Sequence, residues 1–230
     1  MKRLPKPGPI GIQQSIFHYN WLLSYAAESA RRCETDGNIP AKGESEPTQK
    51  DALSSLLFSA AAVEAFINEL TSECQRAAQA ESADPILIRF AWGLRAAEDS
   101  NATTKHKFEL ADLLLTGSPP DRGTQVFSDF KVLFGLRNDI MHIKRPSTIG
   151  VTDNADSSQI PSRVTYLIDR KLTRQMPDGY RTHWLIHLMT PRVAWWACNA
   201  ASSICTHVAR HIPDERISAS YTKMIRASIE

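Results

Sequence analysis

The sequence predicts an all-α fold, and three observations carry that prediction. Apolar residues recur at three- and four-residue spacing over several long stretches, which is the mark of helices with one buried face. Residues that start and stop helices bracket those stretches. Only one short region, around residues 163–188, carries a pattern suited to strands. The 230 residues are 42% hydrophobic and 23% charged, enough for one soluble domain with a substantial core.

Gly11 to about Arg32 is expected as the first helix, with Ile16, Tyr19, Leu22, Leu23 and Ala26 at helical spacing. Glu34 to Pro47 is rich in Gly, Pro and charge and is expected as a loop. Thr48, three residues before Asp51, resembles a capping box and opens a second helix that runs to about Ala80. Leu53, Leu56, Ala60, Val63, Ile67, Leu70 and Cys74 form its seam, and Ala60-Ala61-Ala62 lets a partner helix approach closely. Pro85 to Ala97 and Lys105 to Leu115 are expected as shorter helices, closed by the breaker Gly117-Ser118-Pro119-Pro120.

A further helix is expected from about Gly123 to His142. Its stripe is Val126, Phe130, Leu133, Arg137 and Ile140, so Arg137 stands where the pattern would place a hydrophobe. Lys144 and Arg145 suit its C-terminal end and Pro146 stops it. Ser147 to Ser162 is a polar linker. Val164–Ile168 and His183–Leu188 are expected as a small β-hairpin insertion about the turn Met176-Pro177-Asp178-Gly179. A last strong helix spans about Pro191 to His211 and buries Val193, Trp196, Ala197, Ala200, Ile204 and Val208. The whole chain, 1–230, is expected as a single domain with its core in 49–145 and 191–211 as a closing helix.

The formal net charge of +2 is too mild to announce a nucleic-acid binder. Its distribution is uneven: residues 1–120 carry 12 Lys/Arg against 15 Asp/Glu, and residues 121–230 carry 15 against 10. A polyanion would be steered to the second half. The four cysteines form no Cys-x-x-Cys pair, and the Met1–Pro7 segment has no apolar core behind it. Buried, reduced thiols in a cytoplasmic protein are expected. No apolar stretch in the sequence is expected to approach the roughly 20 residues of a membrane helix.

The chemistry concentrates in Leu136-Arg137-Asn138-Asp139-Ile140-Met141-His142. A guanidinium matches two phosphate oxygens and stays charged. An imidazole with an ordinary pKa of about 6.5 moves protons near neutral pH. On one helix the Arg137 and His142 vectors diverge by about 140°, while Asn138 and His142 lie one turn apart on one face. One histidine supplies one proton-transfer group, so a second would have to come from a second copy of the chain.

These residues resemble the HEPN superfamily of nucleotide-binding helical domains. The family's mark is an arginine and a histidine with four to six residues between them, late in a helix, often with a polar residue directly after the arginine. Phe134-Gly135-Leu136-Arg137-Asn138-Asp139-Ile140-Met141-His142 is similar to the longer form of that motif. Ala61-Ala62-Val63-Glu64-Ala65-Phe66-Ile67-Asn68-Glu69-Leu70 is similar to the Glu-bearing helix that often packs against it.

The resemblance implies a four- or five-helix bundle that dimerises through the motif helix. It also implies metal-independent endoribonuclease activity leaving 2′,3′-cyclic phosphates, in toxin–antitoxin or antiviral defence settings, with RNA as substrate, no cofactor and no membrane. Arg137 would hold the scissile phosphate, His142 would move protons and Asn138 would orient one of them. Glu64, Asn68 and Asp139 would support them, and Lys144 and Arg145 would add weak RNA contacts. Toxins of this superfamily that are silenced by nucleotidylation often carry a tyrosine two residues after the histidine. Lys144 stands there, so the resemblance does not extend to that mode of control. No sensor or nucleotidyltransferase motif is present, so an antitoxin or sensor would be a separate protein.

Other readings stand beside this one. The chain could be a non-catalytic module that binds nucleotide, RNA or a partner protein. Arg137 could form a structural pair with Glu64, with Asn68 as a hydrogen-bond partner of that carboxylate. His183 with His187, and His207 with His211, have zinc-like spacing but no evident third ligand, so ordinary imidazoles are expected. Trp195-Trp196 is expected in the core. The run Arg163, Arg170, Lys171, Arg174, Arg181 lines an RNA path or is merely a solvated surface.

Overall fold

The structure, a computed structural model, describes residues 18–35, 47–142, 160–173 and 184–230. These residues form nine helices and no strand. They are α1 (His18–Thr35), α2 (Pro47–Ala77), α3 (Pro85–Asp99), α4 (Thr104–Thr116), α5 (Gln125–Met141), α6 (Ser162–Asp169), α7 (Leu185–Leu188), α8 (Pro191–Arg210) and α9 (Glu215–Ile229).

Local chemistry sets most of the boundaries. Asp84, Thr103, Thr124, Thr190 and Asp214 each cap a helix through a side-chain oxygen that accepts from a backbone N–H of the first turn. Pro85 and Pro191 follow two of these caps, where the missing N–H costs nothing. Gly117 ends α4 in the left-handed conformation, φ 73°, which an L side chain rarely adopts. The tail, with no firm expectation attached, forms α9 because Ile217, Tyr221 and Ile225 recur every four residues and are buried.

The expected hairpin is absent. Val164–Ile168 lies within α6, because Val164 and Leu167, three residues apart, are the pair that buries. A strand would have put residues two apart on one face. Leu185–Leu188 is a single helical turn rather than a strand, and the turn at 176–179 lies outside the described residues.

The long helix α2 is the hub, packing against α1 and α8 most extensively and touching α3, α4, α5 and α7. Of its expected seam, Leu56, Ala60, Val63, Ile67, Leu70 and Cys74 are buried, and Leu53 is half-buried against the same core. Lys50–Ala77 is long and apolar enough to cross a membrane by length and composition, contrary to expectation, and half of its most apolar window is buried inside the bundle. At one end of the core Tyr19 stacks on Tyr221 at 5.5 Å, and Phe66 meets both rings edge-on at 5.4 and 5.6 Å. All four cysteines are buried, and none forms a disulfide among the described residues. Burial pushes the Cys74 and Cys198 thiols up to about 12, so neither supplies a thiolate.

Two carboxylates pin the bundle. Glu69 of α2 caps α1 from outside: its Oε1 accepts from the backbone N–H groups of His18 at 2.8 Å and Tyr19 at 3.3 Å. Its Oε2 is buried and accepts no hydrogen bond among the described residues. Desolvation therefore holds this carboxyl above its ordinary value, although the donors of α1 pull the other way.

Asp129 of α5 is the second. Its Oδ1 accepts from Tyr166 Oη of α6 at 2.9 Å and from Trp196 Nε1 of α8 at 3.0 Å. Burial, helped by the Asp129 charge, holds the Tyr166 phenol above its ordinary value, so it remains a donor. Arg170 reaches the same carboxylate at 3.7 Å and lies over the Tyr166 ring. Trp196 is thus in the core, as expected, while Trp195 is half-buried and donates to Glu34 at 2.6 Å.

Two outcomes follow. Asp129→Ala leaves the Tyr166 and Trp196 donors without an acceptor and should cost about 3 kcal/mol in urea unfolding, with Asp129→Asn costing less. An unchanged midpoint would show that the buried carboxylate does not hold α6. For Glu69, a raised folded value means stability present at low pH is lost as pH rises past 4.5, its ordinary value, and through the folded one. Glu69→Gln keeps the acceptor without the charge, so its stability relative to wild type should climb between about pH 4 and pH 7. A flat difference across that range would remove the desolvation argument.

Candidate functional site

α5 and α6 run antiparallel, which follows from their contacts. Arg163 pairs with Asp139 at 2.8 Å, Tyr166 with Asp129, and Arg170 with Gln125, so numbers rise along one helix as they fall along the other. Gly135 lets the two meet. A Cβ at that position would fall 1.9 Å from Arg163 Nε, so the arginine stem lies directly across the glycine backbone. Asp139, one turn further along α5, receives the guanidinium.

This seam forms one wall of a cavity of about 830 Å³, closed by α2 and by the start of α4. Arg137 and Asn138 line it, together with Lys105 and Lys107 of α4, Lys131 of α5 and Arg163 of α6. Glu64 is the one carboxylate among the described lining residues. The capped N-terminus of α4, Thr103 to Lys105, opens onto the same space and adds its dipole to the positive field. Phe130, Phe134 and Tyr166 supply an apolar side. Lys105, Lys107 and Arg163 each stand within 3.9 Å of a carboxylate behind the lining (Glu109, Glu98 and Asp139), so the excess positive charge rests on Lys131 and Arg137, and with the flat apolar surface it suits an anion with ring-like parts.

The residues predicted from sequence are distributed unevenly around it. Arg137 is half-exposed; its Nη1 donates to Asn138 Oδ1 at 3.0 Å and its Nη2 stands 3.9 Å from Glu64. The expected Arg137–Glu64 pair is therefore present but long, and it is not buried, because the two side chains keep 39% and 46% of their exposure. It carries little structural energy. Asn68 does not serve Glu64: its Oδ1 accepts from Lys107 Nζ at 2.9 Å. Asp139 belongs to Arg163.

His142 caps the C-terminus of α5, is exposed, and does not line the cavity. Its backbone N–H donates to Asn138 O at 3.0 Å and closes the last turn of α5. Within one copy the chain brings Arg137 and Asn138 together and leaves His142 at the rim. Lys144 and Arg145 lie outside the described residues.

Among the described residues no group of three or more His, Cys, Asp or Glu gathers as a metal site. His183 lies outside the described residues. His187 is buried, and desolvation lowers its pKa. Of the basic run, Arg163 lines the cavity, Arg170 serves Asp129, and Arg174 and Arg181 lie outside the described residues.

Sequence reasoning missed Lys105, Lys107 and Lys131, which lie on separate faces of two helices until α4 folds against α5. One signal was available: Gly135 inside a strongly apolar helix marks a close approach. The class of protein defined here is an all-helical bundle with a cation-lined cleft between α4, α5 and α6. Set against known protein families, curated proteins and solved structures, the chain matches none.

The Gly135–Arg163 contact is directly testable. Gly135→Ala should push the flexible arginine aside and break its pair with Asp139. The net cost should stay within about 1 kcal/mol, because an exposed pair is worth little. Removing the arginine first should make Gly135→Ala cheaper or neutral in a double-mutant cycle. Strict additivity would mean that the two residues do not meet.

Proposed function

We propose that this chain is a HEPN-type endoribonuclease whose RNA strand lies in the cleft between α4, α5 and α6. The observation that carries the reading is the convergence of Arg137 and Asn138 with Lys105, Lys107, Lys131 and Arg163 on one open cavity. Such a lining neutralises successive phosphates, and the aromatic side gives a base a stacking surface.

The residues suit metal-independent transesterification. The 2′-oxygen attacks phosphorus while an imidazole takes its proton. The bond from phosphorus to the 5′-oxygen breaks, and that oxygen gains a proton from a second group. A 2′,3′-cyclic phosphate and a 5′-hydroxyl result. Arg137 neutralises the charge that builds on the phosphate in the five-coordinate state. His142 is the proton carrier, and two copies supply the two that the reaction needs. Its exposure at the end of α5, beside Met141 at 58% exposed, suits a contact between copies there.

A second reading has its own observation. Because His142 does not line the cavity, the cleft can serve a non-catalytic RNA- or nucleotide-binding module.

His142→Ala separates the two. It should lower RNA cleavage by about 100- to 10,000-fold. Stability should shift by no more than about 0.5 kcal/mol, since the ring is exposed. Chelator should leave the wild-type rate unchanged. Arg137→Ala should reduce both cleavage and RNA affinity, the latter by about tenfold. Wild-type protein that binds RNA and never cuts it, with binding weakened by Arg137→Ala, would establish the module and end the ribonuclease reading.

A further inference from the structure

A second cation-lined cavity, of about 510 Å³, lies where α8 and α9 meet the start of α5. Ser202, Thr206 and Arg210 fall four residues apart on α8 and all line it. Thr222 and Arg226 face the same space from α9. No carboxylate appears among its described lining residues, and neither Arg210 nor Arg226 pairs with one among the described residues. Two guanidiniums from different helices thus line one cavity with no carboxylate among its described lining residues, a setting that favours an anion.

His207 and His211 complete the polar side, and their hydrogen bonds argue against a metal. His207 Nε2 donates to Asp112 Oδ1 of α4 at 2.8 Å. His211 Nδ1 lies 2.8 Å from the His207 carbonyl oxygen, which can only accept, so that nitrogen carries the proton. Each ring therefore has one nitrogen committed, no group of three ligands gathers there among the described residues, and two arginines would repel a cation. The apolar part of the lining is Val126 of α5 and Ile229 of α9, with Ile225 buried behind them.

We propose that this cavity binds a small phosphate-bearing organic molecule, its phosphate between Arg210 and Arg226 and its organic part against Val126 and Ile229. The hydroxyls of Ser202, Thr206 and Thr222 donate to the remaining phosphate oxygens. The concave shape and limited volume suit a small molecule rather than a continuous strand. This site shares no lining residue with the cleft that holds Arg137, so it stands or falls apart from the ribonuclease reading.

Titration calorimetry of the full chain at low salt, with inorganic phosphate, adenosine monophosphate and adenosine as probes, tests it. Adenosine monophosphate should bind saturably, inorganic phosphate more weakly and adenosine not at all. The Arg210→Gln/Arg226→Gln variant should weaken the nucleotide by at least tenfold with its melting temperature unchanged, since both side chains are exposed. Failure of both phosphate probes to bind would overturn the site, as would nucleotide binding that the double arginine variant leaves unweakened. Weakening of a single-stranded RNA by the double arginine variant, with no nucleotide binding, would replace the small ligand by RNA and also overturn it.

Discussion

The Asp129 carboxylate is the constraint on which the cleft depends. It is buried on α5, and it receives hydrogen bonds from α6 through Tyr166 and from α8 through Trp196. A buried charge of this kind is tolerated only where donors replace water, so three helices are held to one arrangement. Once Tyr166 is fixed against Asp129, Arg163 of the preceding turn falls across Gly135 and reaches Asp139. The wall of the cavity is the outcome. Glu69 works on the opposite side of the bundle in the same way, ordering the start of α1 from α2 at the expense of its own desolvation.

The uneven charge of the chain acquires a structural meaning. The second half is basic, and five of its fifteen arginines and lysines line the two cavities. The cleft combines Arg137, Lys131 and Arg163 from that half with Lys105 and Lys107 from the first. The smaller cavity draws on Arg210 and Arg226. One carboxylate faces the cleft, and none among the described residues faces the smaller cavity. Local fields of this sign concentrate anions irrespective of a net charge near zero.

Much of the helical order was legible in the chain. The apolar period placed α2, α5 and α8 within a few residues, because burial of one face decides helix position and the caps decide helix ends. The region 163–188 was misread because a short apolar run looks alike to strand and helix until a partner face is known. Val164 and Leu167 meet the core together only as a helix. The motif Arg137-Asn138 was visible as polar residues in an apolar stripe, whereas the Lys107–Asn68 bond joins positions far apart in sequence.

What the sequence alone determined is the helical class, the seam of α2 and the singular character of the Arg137–His142 segment. Those properties are periodic or local, and neighbours along one chain suffice to express them. Tertiary structure alone decided that Arg137 faces a shared cleft while His142 stands outside it, that Arg163 crosses Gly135, and that Arg210 and Arg226 line one cavity. Each depends on which helices pack together and at what angle. That choice is made by buried groups such as Asp129, whose donors lie dozens of residues away.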